Sequence, residues 1–510
     1  MPIISEKQNV AERINMEVRY KSTRGDGSLI TASQAVLKGL SDNGGLYVPD
    51  CVPALDIELE ELAKMDYKHV AFEVLKRFFS DYTEEEIKDC VERAYDSKFD
   101  TEEIAPVVEK DGAYFLELFH GPTIAFKDMA LSILPHLMVK AARKNNIKND
   151  IVILTATSGD TGKAALAAFA DAPNTKIIVF YPKGGVSKIQ ELQMLTQKGD
   201  NTFVVGVHGN FDDTQTGVKK MFNDPALAKL LDENGYQFSS ANSINIGRLF
   251  PQVAYYVWAY SRLVKENKIK AGDEINFVVP TGNFGNILAG YYAKQMGLPV
   301  NKLICASNDN KVLFDFFKTG EYNKNREFIL TTSPSMDILI SSNLERLIYL
   351  IAGESEEKNK ELMKSLSETG VYNITDDMKA KLDTFAAGYA DEKENAVATK
   401  ALYDKTGYII DPHTGVAECV YKKYIEETGD KHPTVIVSTA SPYRFSKAVL
   451  EAIEKTDGIT DDFEQIAQLE KISGVAKPNA IKEVEAGKIR HNTVCDIDEM
   501  EKEVKGFLKV

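Results

Sequence analysis

The sequence predicts an α/β fold built on parallel sheets, and three observations carry that prediction. Short, near-continuous apolar runs recur: IVILT at 151–155, IIVFYP at 177–182, NTFVVGV at 201–207, INFVVP at 275–280, KLICAS at 302–307 and TVIVST at 434–439. Amphipathic helical stretches separate them, and strands that are apolar on both sides belong in sheets covered on both faces. Finally, several runs end in Gly-containing turns that open a helix, which is where parallel sheets hold their ligands.

Taken in order, the first hundred residues differ from this rhythm. They hold YKSTRGDGSLITASQAVLKGLSDNGGLYVP at 20–49, then a charged helical stretch over about 57–94 and a break at 99–106. Next comes HGPTIAFKDMA at 120–130, where Lys127 follows apolar Phe126 and precedes a helix-like run. An ammonium at the positive end of a helix, beside apolar surface, is disfavoured relative to the neutral amine. Neutral amine is the form that condenses with an aldehyde. The strand at 151–155 leads into TATSGDTGKAALAAFA, whose turn amides can hold an anion. A Walker loop is excluded, because it requires Gly where Thr157 stands and Ser or Thr where Ala164 stands. At 280–295, PTGNFGNILAGYYAKQ brings two glycines to a helix starting near Asn286, without the GxGxxG spacing of a dinucleotide fold. FPQVAYYVWAYSRL at 250–263 reads as core, and the charge run 483–509 as a solvated face.

Composition narrows the function classes. The chain has 510 residues, 44% hydrophobic and 27% charged, enough for a large core and two or three domains. A net charge of −15 without a long Lys/Arg block predicts neither a nucleic-acid surface nor an anionic-membrane anchor. Five scattered cysteines lack CxxC or metal-ligand spacing, so neither structural zinc nor a disulfide framework is predicted. The first residues lack a signal-peptide apolar core, and no stretch reaches the ~20 apolar residues of a membrane span. The expectation is a soluble, cytoplasmic protein acting on small molecules, as a monomer or homodimer.

HGPTIAFKD, SGDTGKAA, NSINIGRL, TGNFGN, TSPSMDILISSNLERL and DPHTG, in this order, resemble threonine synthase, a family of pyridoxal 5'-phosphate (PLP) enzymes of fold type II. STRG and GGLYVP resemble that family's N-terminal domain, so the likeness spans nearly the whole chain. It implies an N-terminal α/β domain at 1–100, a large PLP-binding domain at 101–146 and 270–510, and a small α/β domain at 147–269. It further implies that Lys127 is the Schiff-base lysine and that Gly282, Asn283, Phe284, Gly285 and Asn286 hold the PLP phosphate. Thr439 would face the pyridine nitrogen, where an uncharged hydroxyl protonates the ring less firmly than a carboxylate does. Asp160 would lie beside the phenolic oxygen, Ser158 and Thr161 at the substrate headgroup, and Asn242, Ser243 and Arg248 at the substrate phosphate. The implied activity is conversion of O-phosphohomoserine and water to threonine and phosphate, with Lys127 as acid and base.

Each residue type also has a plainer use. Asn242 and Ser243 suit a helix N-cap ahead of a helix over about 246–265, as does Asp160 for its own helix. Arg248 suits a surface ion pair, Thr439 an ordinary strand end, and His120 a packed position without a proton-transfer role. A phospho-lyase releasing 2-oxobutyrate, a serine or threonine dehydratase and a non-catalytic PLP-binding protein share most of these motifs. The chain departs from the common pattern at SPYRF (441–445) and at Gly415 of DPHTG.

Overall fold

Fifteen strands organise the residues described by the computed structural model, which are 16–157, 159–186, 188–456 and 458–510. In chain order they are β1 (Tyr20–Ser22), β2 (Tyr47–Pro49), β3 (Val107–Lys110), β4 (Ala113–Glu117), β5 (Asp150–Ala156), β6 (Thr175–Pro182), β7 (Thr202–His208) and β8 (Tyr236–Ser239). Then follow β9 (Ile275–Pro280), β10 (Val300–Ser307), β11 (Glu321–Asn323), β12 (Val371–Asn373), β13 (Phe385–Tyr389), β14 (Thr434–Ser438) and β15 (Thr493–Asp496). Two larger sheets result, ordered β13-β10-β9-β14-β4-β3 and β15-β7-β6-β5-β8. The second is wholly parallel, and the first is parallel except where β3 meets β4. Every residue of β9 and β14 is buried, as expected for central strands with helices on both faces. Between β9 and β14 the strand order changes direction, and beyond the carboxyl ends at such a switch point open α/β sheets have the crevice that holds ligands.

The N-terminal region pairs β1 with β2 and packs its helices onto the rest of the molecule. Three segments depart from the expected division. The helix Leu134–Lys144 lies against the N-terminal helices Ala32–Lys38 and Glu84–Ala94. The helix Pro251–Lys265, expected in the small domain, packs on Tyr67–Phe78 and on Gly285–Gln295. It is buried almost all round because it lies between two layers, so its apolar residues are core on every face. β15, expected in the large domain, instead pairs with β7 at the edge of the second sheet. The charged C-terminal stretch is therefore only partly a solvated face. Met500, Val504 and Leu508 of the helix Met500–Leu508 bury a hydrophobic stripe in the core of that sheet.

Candidate active site

Sheet geometry brings Lys127 to the crevice. β4 runs parallel to β14, and beyond its end Leu118 N–H still donates to Ser438 O at 3.0 Å. The chain then returns, so that Phe126 N–H donates to Thr439 O at 2.8 Å, and Lys127 stands just before the helix Asp128–Leu131. Its Nζ lies 5.8 Å from the Phe126 ring centroid and 3.5 Å from Ser335 Oγ.

The loop after β9 supplies an anion cradle. Phe284 adopts the left-handed region, φ 64°, which a non-glycine residue occupies only under constraint from its surroundings. At Gly282 a Cβ would lie 2.3 Å from the Ser335 carbonyl oxygen, so only glycine fits between that backbone and the loop. Ser341 Oγ donates to Gly282 O at 2.7 Å, and Asn343 N–H and Nδ2 donate to Asn283 O at 3.0 and 3.1 Å. With its carbonyls tied back, the loop offers the amides at the start of the helix Gly285–Gln295, which lack intrahelical acceptors. Asn286 Oδ1 sits 2.7 Å from both the Tyr255 and Tyr256 hydroxyls, while its buried Nδ2 has no acceptor among the described residues.

Arg248 lies on the short helix Ile246–Leu249 and is 3% exposed, not a surface residue in an ion pair. Nη1 donates to Ala241 O at 2.6 Å, and Nε has no partner among the described side chains. Burial pushes the guanidinium down to about 10, which leaves it protonated at neutral pH. Gln252 Nε2 donates to the Arg248 backbone carbonyl at 2.7 Å, and the Tyr255 hydroxyl, with one proton to give, lies between Gln252 Oε1 at 3.0 Å and Asn286 Oδ1 at 2.7 Å. The helix expected over 246–265 breaks at Phe250 into two pieces, with Pro251 at the start of the second. Its N-cap is Asn245, whose side chain accepts from Gly247 N–H at 2.8 Å, so neither Asn242 nor Ser243 serves that purpose. Asn343 Nδ2 reaches Ser243 O at 3.4 Å, placing that segment beside the anion loop, and Asn242 is exposed.

Asp160 opens the helix Asp160–Phe169 and Thr161 follows in its first turn, half-buried; Ser158 lies outside the described residues. His120 is held by Asp100 at 2.6 Å and Glu117 at 2.8 Å. Burial alone would lower its pKa, but these hydrogen bonds outweigh that and push it up to about 9. The two departures from the common pattern also have local causes. Arg444 of SPYRF donates to Thr123 O at 2.6 Å, and a Cβ at Gly415 would meet Asn395 Oδ1 at 2.2 Å, so glycine lets two helices approach closely.

Sequence reasoning gave no role to Ser335, Ser341, Asn343, Asp411 or His413, and placed Tyr255 and Tyr256 in the core. They are buried there, but their hydroxyls needed partners, and those partners lie in the anion loop.

A lysine amine, an amide cradle at a helix start and a strand-end hydroxyl converge here, the donor set that a pyridoxal-phosphate enzyme needs. A family model described as "Pyridoxal-phosphate dependent enzyme" matches residues 102–440, and models for "Threonine synthase N terminus" and "Threonine synthase, C-terminal" match 19–95 and 414–486. The chain is 37% identical to threonine synthase of Schizosaccharomyces pombe over 468 residues, covering 86% of this chain and 89% of that one. It is 40% identical to human "Threonine synthase-like 1" over 435 residues, covering 83% of this chain and 58% of that one. A solved PLP-bound threonine synthase from Brucella melitensis superposes with a TM-score of 0.86 at 34% identity, covering 97% of this chain and 100% of that one. The chain belongs to the threonine synthase family.

The residues present fit the cofactor. The cradle between Gly282 and Asn286 has the amides, the glycine-only clearance and the unpartnered Asn286 Nδ2 that a phosphate dianion satisfies. Lys127 would provide the amine, and Thr439, buried just beyond β14, would provide an uncharged hydroxyl.

Proposed function

We propose that this chain converts O-phospho-L-homoserine and water to L-threonine and phosphate, the last step of threonine biosynthesis. The observation that carries the reading is Arg248, a buried guanidinium with an unpartnered Nε and no carboxylate beside it among the described side chains. Burying an uncompensated cation is costly, and a phosphate dianion on the substrate supplies the missing charge through the planar donor fork. Asn242 and Ser243 complete that subsite in our reading, Thr161 is assigned to the substrate headgroup, and Asp160 and Ser158 keep the roles that the family resemblance implies.

Bound at Lys127, Thr439 and the 282–286 loop, the cofactor supplies an aldehyde for a primary amine and a ring that accepts electron density from the neighbouring carbon. Once free, the Lys127 amine takes a proton from the substrate's Cα and then from Cβ, the economical assignment for one base within reach of both. Arg248 holds the γ-phosphate and stabilises its departure. The lysine then returns one proton at Cγ, which leaves Cβ the electron-poor carbon that water attacks with loss of its own proton, and returns the second proton at Cα once the oxygen is in place. The enclosing walls must exclude further water at those steps.

The working unit in this proposal is a monomer or homodimer in the reducing cytoplasm, a setting that suits five free thiols. Among the described residues no helix is long and apolar enough to cross a membrane.

Arg248→Lys tests the reading, because it keeps the charge and loses the fork. Use of phosphohomoserine should weaken by roughly 1.5–3 kcal/mol, the scale of a charge-assisted hydrogen bond. Slow turnover of serine or threonine, which place nothing at Arg248, should change little, as should cofactor retention. Equal losses for phosphorylated and unphosphorylated substrates would make Arg248 a structural residue and remove the main support for a phosphate leaving group.

A further inference from the structure

Asp411 and His413 lie at the start of the helix Pro412–Thr428, 0% and 2% exposed, on the far side of Ser335 from the reactive amine. Asp411 Oδ2 lies 2.6 Å from His413 Nδ1 and also accepts the His413 backbone N–H at 3.0 Å. A carboxylate at Nδ1 fixes the proton there and leaves Nε2 as an acceptor. That acceptor takes the Ser335 backbone N–H at 3.1 Å. Ser335 belongs to a single turn of 3-10 helix, Pro334–Met336, too short to set its own position. Its hydroxyl is 3.5 Å from Lys127 Nζ, and its carbonyl presses on Gly282 in the anion loop. The same hub reaches the third part of the site, since Thr414 Oγ1, within hydrogen-bond reach of Asp411 Oδ1, lies 3.0 Å from Ser438 Oγ, one residue before Thr439.

We propose that the Asp411–His413 pair is a positioning device for the reaction: through the Ser335 amide it places the Ser335 hydroxyl against the Lys127 amine, while Ser335 is the group that touches that amine. The role depends on the ring's tautomer. A hydrogen on Nε2 would face the Ser335 N–H donor to donor, and the turn would move off both Lys127 and Gly282. Asp411→Asn weakens the device at near-constant shape: a neutral amide oxygen holds the Nδ1 proton less firmly than the carboxylate does, so the Nε2 tautomer gains population, yet Asn still caps the helix.

The inference rests on Lys127 being the reactive amine, so the test reads that amine directly in cofactor-free protein. Lys127 is acetylated with the N-hydroxysuccinimide ester of acetic acid at pH 8 and quantified by peptide mass spectrometry, with exposed Lys229 as internal reference. Asp411→Asn and Ser335→Ala should each change the Lys127 rate in the same sense by about threefold or more, and the double variant by no more than the larger single effect, as for residues acting through one contact. If Asp411→Asn does not fold, His413→Phe, which keeps a ring and removes the acceptor, replaces it under the same criteria. Wild-type Lys127 reactivity in the Asp411 or His413 variant, or effects that multiply in the double variant, would overturn the inference. A Lys127→Ala protein that still turns over phosphohomoserine would instead overturn the functional reading. Wild-type reactivity in both positioning variants beside an inert Lys127→Ala protein would overturn the inference alone.

Discussion

In the proposed function Lys127 is the residue on which the chemistry converges, and its setting supports that assignment. It is half-buried beside Phe126, within reach of Ser335, and one residue from the backbone that pairs with Thr439. Lys127→Ala should fold normally, lose the yellow colour of the bound cofactor and lose at least about 10²–10⁴ of turnover, the contribution of a positioned acid and base. Near-wild-type activity in that variant would contradict the assignment. His120, seven residues earlier, tests the electrostatics of the same segment without touching the chemistry. Its folded pKa of about 9 lies above the ordinary value near 6.5, so its ion pairs with Asp100 and Glu117 stabilise the fold fully below about pH 6.5. That stabilisation is lost as pH rises through about 9. Unfolding experiments on His120→Gln should show a deficit of ~1–3 kcal/mol at pH 6 that vanishes by pH 10. A deficit independent of pH would show that packing, not charge, holds the imidazole.

At the scale of elements, the loop between β9 and the helix Gly285–Gln295 is the segment proposed to hold the cofactor. Sequence alone gave both glycines of the loop the same weight, but their surroundings differ. A methyl at Gly282 meets the Ser335 backbone at 2.3 Å, whereas one at Gly285 meets the Asn343 side chain at 3.4 Å, an ordinary contact. Gly282→Ala should therefore weaken cofactor binding by about tenfold or more, or 1.4 kcal/mol, with Gly285→Ala much closer to wild type. Equal affinities in the two variants, measured by equilibrium titration, would show that Ser335 does not bound the cradle. The strands and the loops at their ends were legible in the sequence because apolar runs and Gly-containing turns are local signals. Ser335, Asn343 and His413 were not, because their importance comes from partners 60 to 208 residues away in the chain. The edge strand Thr493–Asp496 escaped for the same reason, since pairing with β7 decided it, whereas the break at Phe250 had a local signal in Pro251 that the expectation of one helix over 246–265 passed over.

Across the whole molecule, the N-terminal region is tied to the site it does not itself form. Arg24 of the STRG segment grips Glu345 with two hydrogen bonds, at 2.9 and 2.8 Å, and Thr23 Oγ1 donates to the same carboxylate at 2.7 Å. Next to Glu345, the wholly buried Arg346 donates to Tyr47 O, to Asn343 Oδ1 and to Ile244 O, so β2, the anion loop and the NSINIGR segment meet on one guanidinium. The early segments that carried part of the family resemblance thus brace Asn343 and the NSINIGR segment. The measurement that tests the account most directly is the stoichiometry of products from O-phosphohomoserine with the PLP-loaded protein. The account predicts inorganic phosphate and threonine in equal amounts, with the oxygen at Cβ derived from labelled water. Phosphate accompanied by 2-oxobutyrate and ammonia, or no release of phosphate at all, would contradict it.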